Sequence, residues 1–134
     1  MKFYIDSCIL IYLVDGPDLL SQAIAKAMRD AHGTTFCLSD LVRLECLVDP
    51  IRRSDEEKRK VFEAQFQRLT CLPLTPSVFD LAAELRARHN LKTPDAIHAA
   101  AAIFHGCDEF WTNDRRLAAI EPRIALQVLP EVTP

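Results

Sequence analysis

Asp6, Glu45, Asp95 and Asp114 are the residues whose type and placement in this 134-residue chain point to chemistry. Asp6 closes the apolar run Phe3-Tyr4-Ile5, and Asp114 follows Phe110-Trp111-Thr112. Glu45 lies on the apolar stripe of a helical segment, and Asp95 stands behind Pro94 where another helix opens. In an α/β fold such positions gather at one end of the sheet. Two carboxylates about 4 Å apart, at an effective dielectric near 20, repel by roughly 4 kcal/mol, so a cluster takes up protons or binds a cation. A hard divalent ion with oxygen ligands fits best.

Each acid also has a use without chemistry. An acid in a helix's first turn meets the macrodipole favourably by roughly 0.3–1 kcal/mol, which accounts for Asp95 and Asp114 singly. Asp6 can serve as a strand-end turn residue bonded to the next helix. Glu45 is different, because a carboxylate on a buried stripe is costly unless it is paired, by Arg43 or another base, or coordinated. Taken jointly, the four favour a functional site.

Other candidate chemistries are weaker. Cys8, Cys37, Cys46, Cys71 and Cys107 are odd in number, lie in apolar segments and form no C-x-x-C motif, so they read as reduced core residues. His98 and His105 lie seven apart on one helix and read as partly buried or surface imidazoles rather than as metal ligands. A net charge of −3 excludes a general nucleic-acid binder, so any such contact must be local. Arg52-Arg53 and Lys58-Arg59-Lys60 read as a solvated face, whereas Arg115 and Arg116 adjoin Asp114 and could meet a phosphate. The apolar run Cys8–Val14 is too short for a membrane span or signal peptide, so the expected location is the cytoplasm.

Length suits one domain, and 49% hydrophobic with 26% charged residues suits a globular one. Strands are expected at 2–6, 34–38, 71–74, 109–112 and 125–129, with Pro73 pushing the third toward an edge. Between them run helices opened by Ser7, Asp18, Ser39, the Ser54–Glu57 capping box, Pro76, Thr93 and Asn113, with Asp15-Gly16-Pro17, Gly33 and Gly106 as stops. This alternation implies a mostly parallel sheet wrapped by helices on both faces. If the strands before Asp6 and Asp114 are neighbours where strand order reverses, both carboxylates face one crevice.

Four segments in this order, Tyr4-Ile5-Asp6-Ser7, Ser39-Asp40-Leu41-Val42-Arg43-Leu44-Glu45, the helix start Thr93-Pro94-Asp95-Ala96-Ile97-His98-Ala99-Ala100, and Phe110-Trp111-Thr112-Asn113-Asp114-Arg115-Arg116-Leu117, resemble PIN-domain ribonucleases, particularly toxins of the VapC group. The resemblance spans nearly the whole chain. It implies a three-layer α/β/α fold with about five strands, forming a single nuclease domain over residues 1–134. It assigns Asp6, Glu45, Asp95 and Asp114 as catalytic metal ligands for Mg²⁺ or Mn²⁺, with Ser7, Thr112 and Asn113 in support. It further implies cleavage of RNA, homodimerisation, and inhibition by a cognate antitoxin.

Two competitors stand beside that reading. A receiver-like phosphoryl-transfer domain would want paired acids near the first strand and a late lysine, but no lysine follows Lys92. A non-catalytic interaction domain on the same fold has no need of four acids.

Overall fold

The structure is a computed structural model and describes residues 1–129, so the expected terminal segment Pro130–Pro134 lies outside the described residues. Five strands, β1 (Lys2–Ile5), β2 (Thr35–Leu38), β3 (Thr70–Cys71), β4 (Glu109–Thr112) and β5 (Ala125–Val128), form an all-parallel sheet in the order β3-β2-β1-β4-β5. Six α-helices alternate with them: α1 (Ser7–Asp15), α2 (Asp18–Asp30), α3 (Asp40–Arg52), α4 (Glu56–Gln67), α5 (Pro76–His89) and α6 (Thr93–Phe104). A 3-10 helix, Arg115–Ile120, joins β4 to β5. Because the chain builds outward from β1 to β3 and then returns to the other side of β1, right-handed crossovers place α1–α4 on one face and α5 and α6 on the other.

Side-chain alternation sorts the strand residues between those layers. Phe3, Phe36 and Trp111 share one face and pack ring to ring at 5.1–5.9 Å. Tyr4 and Phe110 take the other and stack at 5.4 Å with their planes 8° apart. The second face carries on past the strand ends, since Asp6 and Thr112 have the same parity as Tyr4 and Phe110. Strand order reverses between β1 and β4, whose register runs Phe3 to Glu109 through Ile5 to Trp111, and Asp6 extends that ladder by donating its N–H to the Trp111 carbonyl at 2.9 Å. The expected reversal of strand order between the two neighbouring strands is therefore present.

Several caps differ from the sequence expectation by one residue. Asp6, not Ser7, caps α1 by accepting the Ser7 N–H, and Asp114, not Asn113, caps the 3-10 helix by accepting the Arg116 N–H. Asp55 caps α4 through the Lys58 N–H, with Ser54 before it at positive φ. Lys92 occupies the cap position of α6, so Thr93 is already helical, whereas Ser39 does hold the N-cap position of α3 as expected, without a side-chain cap bond. In two of these cases the acid of the proposed cluster takes the cap, because a carboxylate accepts the free first-turn N–H groups more strongly than a neighbouring hydroxyl or amide.

Candidate metal centre

Asp6 is buried with both oxygens engaged, Oδ1 accepting the Ser7 N–H at 2.8 Å and Oδ2 the Thr112 hydroxyl at 2.9 Å. Thr112 Oγ1 in turn accepts the Asp114 N–H at 3.1 Å, so one hydroxyl fixes the ends of β1 and β4 relative to each other. Glu45 enters from α3. Its Oε1 meets His98 Nε2 at 2.5 Å, and the same nitrogen lies 3.6 Å from Asp6 Oδ1, so Asp6, Glu45 and His98 present ligand atoms within 4.8 Å of one another.

The other two acids border this core. Asp95 is half-buried in the first turn of α6, and its carboxyl is held above the ordinary range by burial first, then by the charges of Asp6 and Asp114. Asp95 thus lies within electrostatic reach of Asp6 and Asp114. Asp114 is instead held below the ordinary range, chiefly by Arg116, whose guanidinium donates from Nε at 2.9 Å and from Nη2 at 2.7 Å to its two oxygens. Burial pushes Glu45 up, but its bond to His98, with the His98 charge and the Ser7 hydroxyl, leaves it below the ordinary carboxylate range.

The remaining expected residues fall in three groups. Ser7 and Thr112 touch the acids, Ser7 by its backbone N–H and by a hydroxyl that lowers Glu45. Asn113 does not, since its amide donates to the Tyr12 hydroxyl at 3.2 Å and its N–H to Cys8 Sγ at 3.4 Å. Arg115 is exposed beside the site, while Arg116 is committed to Asp114. Arg43, considered as a partner of Glu45, lies 3.8 Å from Glu63 and over the Phe66 ring.

His98 is the residue that sequence reasoning misplaced. It is 1% exposed, and its Nδ1 meets the Tyr4 hydroxyl at 2.7 Å, which also lies 2.8 Å from Ser39 Oγ. Two spacings carried the signal: His98 follows Asp95 by three on α6, and Tyr4 precedes Asp6 by two on β1, so both aim at the same end of the sheet.

The donor set fits a hard divalent ion, because Asp6 and Glu45 present carboxylate oxygens within 4.8 Å of each other and Asp95, raised by burial and then by the charges of Asp6 and Asp114, borders them. The nearby thiols do not compete for a catalytic role. Burial, then the charge of Asp6, pushes Cys8 up to about 12, and burial with Glu45 pushes Cys46 up to about 12.

Residues 3–121 match the PIN domain family. The chain belongs to that family. Solved structures share its fold: VapBC2 from Rickettsia felis, bound to a promoter DNA fragment, is 18% identical with a TM-score of 0.78, covering 96% of this chain and 98% of that one. A toxin–antitoxin complex from Klebsiella pneumoniae is 22% identical with a TM-score of 0.75, covering 91% and 94%. DNA-bound VapBC from Salmonella typhimurium is 20% identical with a TM-score of 0.75, covering 96% and 98%. No curated protein matches the chain.

Proposed function

We propose that this PIN domain is a Mg²⁺- or Mn²⁺-dependent endoribonuclease, a single nuclease domain over residues 1–134 and the toxin of a toxin–antitoxin pair in the cytoplasm. The observation that carries the reading is the placement of Asp6 and Glu45, with His98, within 4.8 Å of one another beyond the β1–β4 switch point of a PIN fold, with Asp95 and Asp114 bordering them. These four would hold the ion, which when bound supplies a Lewis acid and an acidified water. Ser7 and Thr112 fix Asp6 before any ligand arrives. Asn113 supports the rim through Tyr12 rather than a carboxylate. Hydrolysis of the phosphodiester by water leaves 3′-hydroxyl and 5′-phosphate ends.

An antitoxin partner is supported by the folds of the VapBC complexes and by a groove along α1, lined by Leu13, Val14, Met28, Phe36 and Val61. Ile9 and Leu10 on the same helix are core, so only part of its apolar surface is available. Homodimerisation is supported by Leu44, Val48 and Ile51, exposed along α3. Among the described residues no helix is long and apolar enough to cross a membrane.

The direct test is cleavage of end-labelled RNA by purified protein with Mg²⁺ or Mn²⁺, with EDTA, and with the metal restored. Cleavage that EDTA stops and metal restores is expected, whereas EDTA-resistant cleavage or none at all would overturn the reading. The same ions should stabilise the fold by relieving carboxylate repulsion. At about a hundred times the dissociation constant, binding contributes about 2.7 kcal/mol and raises Tm by on the order of 10 °C. An unchanged melting curve would remove the metal from the proposal.

Arg115 and Arg116 are proposed RNA-phosphate contacts, and they should now separate. Arg115→Ala is expected to lower the magnitude of the salt slope of RNA binding by about 0.7, measured with Ca²⁺ in place of Mg²⁺ to slow cleavage. Arg116→Ala should in addition let the Asp114 carboxyl rise toward its ordinary range, which an NMR titration reads. Identical slopes in wild type and both variants would confine the arginines to the surface.

A further inference from the structure

We propose that His98 is a positioning residue of the metal centre, holding the Glu45 carboxylate toward Asp6 through Nε2 while Tyr4 fixes the imidazole from behind. The inference rests on the nuclease reading for its functional consequence, but its geometry stands alone. A carboxylate can only accept, so the 2.5 Å contact with Glu45 requires a proton on His98 Nε2. On the far side, Nδ1 meets the Tyr4 hydroxyl at 2.7 Å, and that hydroxyl meets Ser39 Oγ at 2.8 Å. Ser39, Tyr4, His98 and Glu45 therefore form one continuous chain from the start of α3 across β1 and α6 back to α3.

Rigidity comes from burial. Tyr4 is fully buried and stacked on Phe110, Ser39 is fully buried, and His98 is nearly so, so the imidazole cannot turn without orphaning a polar atom. Glu45, by contrast, is a flexible side chain 30% exposed, and its shortest contact is the one with His98. A partner of this kind behind a ligand typically carries a tenfold to hundredfold share of metal affinity or activity, about the effect expected here. Direct ligation by His98 Nε2 is the competing role, and it requires loss of the Nε2 proton and displacement of Glu45.

The test uses Tyr4→Phe, which keeps the ring stack and removes only the hydroxyl, alongside His98→Gln. Expected results are an approximately tenfold weaker Mn²⁺ dissociation constant in Tyr4→Phe by calorimetry, a lower kcat for RNA with KM unchanged, and a smaller loss in His98→Gln than in His98→Ala. Long-range ¹H–¹⁵N NMR of the wild type should show His98 protonated at Nε2, both without metal and with Mg²⁺. Unchanged Mn²⁺ affinity and kcat in a folded but less stable Tyr4→Phe would reduce the network to core packing. An unprotonated Nε2 without metal, or loss of its proton on adding Mg²⁺, would also overturn the proposal. If the wild type cleaves no RNA, the nuclease reading fails by itself, and the nitrogen signals and Mn²⁺ affinities still decide the role of His98.

Discussion

Asp6→Asn is expected to lower RNA cleavage by about three orders of magnitude while leaving the fold intact, the scale of losing a preorganised electrostatic group. Asparagine retains one oxygen to accept the Ser7 N–H, so the α1 cap survives. Its amide then faces Thr112 Oγ1, which has a second lone pair to accept it and can turn its own proton elsewhere. What disappears is a charge at the centre of the cluster. Asp95, raised partly by that charge, should titrate closer to the ordinary aspartate range. A carboxyl with a raised folded pKa binds its proton more tightly when folded, so stability falls as pH rises from the unfolded value through the folded one. Asp6→Asn narrows that window and should lose less stability than wild type between acid and neutral pH. Cleavage at the wild-type rate by a variant free of contaminating nuclease would take Asp6 out of the mechanism.

Much of the candidate site's placement was legible because strands declare their ends. Phe3-Tyr4-Ile5 stops at Asp6 and Phe110-Trp111-Thr112 stops short of Asp114, and period-two alternation puts Asp6 and Thr112 on one face once β1 and β4 pair. The helix α6 hid its role for the opposite reason. Ala96, Ala99, Ala100, Ala101 and Ala102 are all buried, so apolar character runs almost around the helix and no stripe marks the side that carries His98. The spacing that places His98 is the three residues back to Asp95, not the seven on to His105. His105 caps the helix end and meets the Pro73 carbonyl at 2.7 Å instead.

Arg43 was excludable as the partner of Glu45 without coordinates. Residues two apart on a helix point to opposite sides, and α3 duly sends Arg43 toward α4 while Glu45 turns to the sheet end. The cap shifts were less accessible, because Ser7 beside Asp6 and Asn113 beside Asp114 offer adjacent residues that are both competent caps. Only the direction of the chain leaving the strand decides between them.

Glu45→Gln distinguishes a ligand from a structural ion pair, and activity is expected to fail before stability does. Glutamine keeps an oxygen in place of Oε1 and so preserves the hydrogen bond from His98, losing only its charge assistance. With the side chain about a third exposed, solvent screens the remainder, and the expected cost to folding is about 1 kcal/mol or less. The loss in cleavage should be larger, about a hundredfold, because a neutral amide oxygen is a weaker partner for a divalent ion and for the charge that develops on the phosphate. Calorimetric Mn²⁺ binding should weaken in parallel, and the metal-dependent rise in Tm should shrink. A variant that melts far below wild type yet cleaves at the wild-type rate per folded molecule would make Glu45 a structural partner of His98, leaving Asp6, Asp95 and Asp114 to carry the ion.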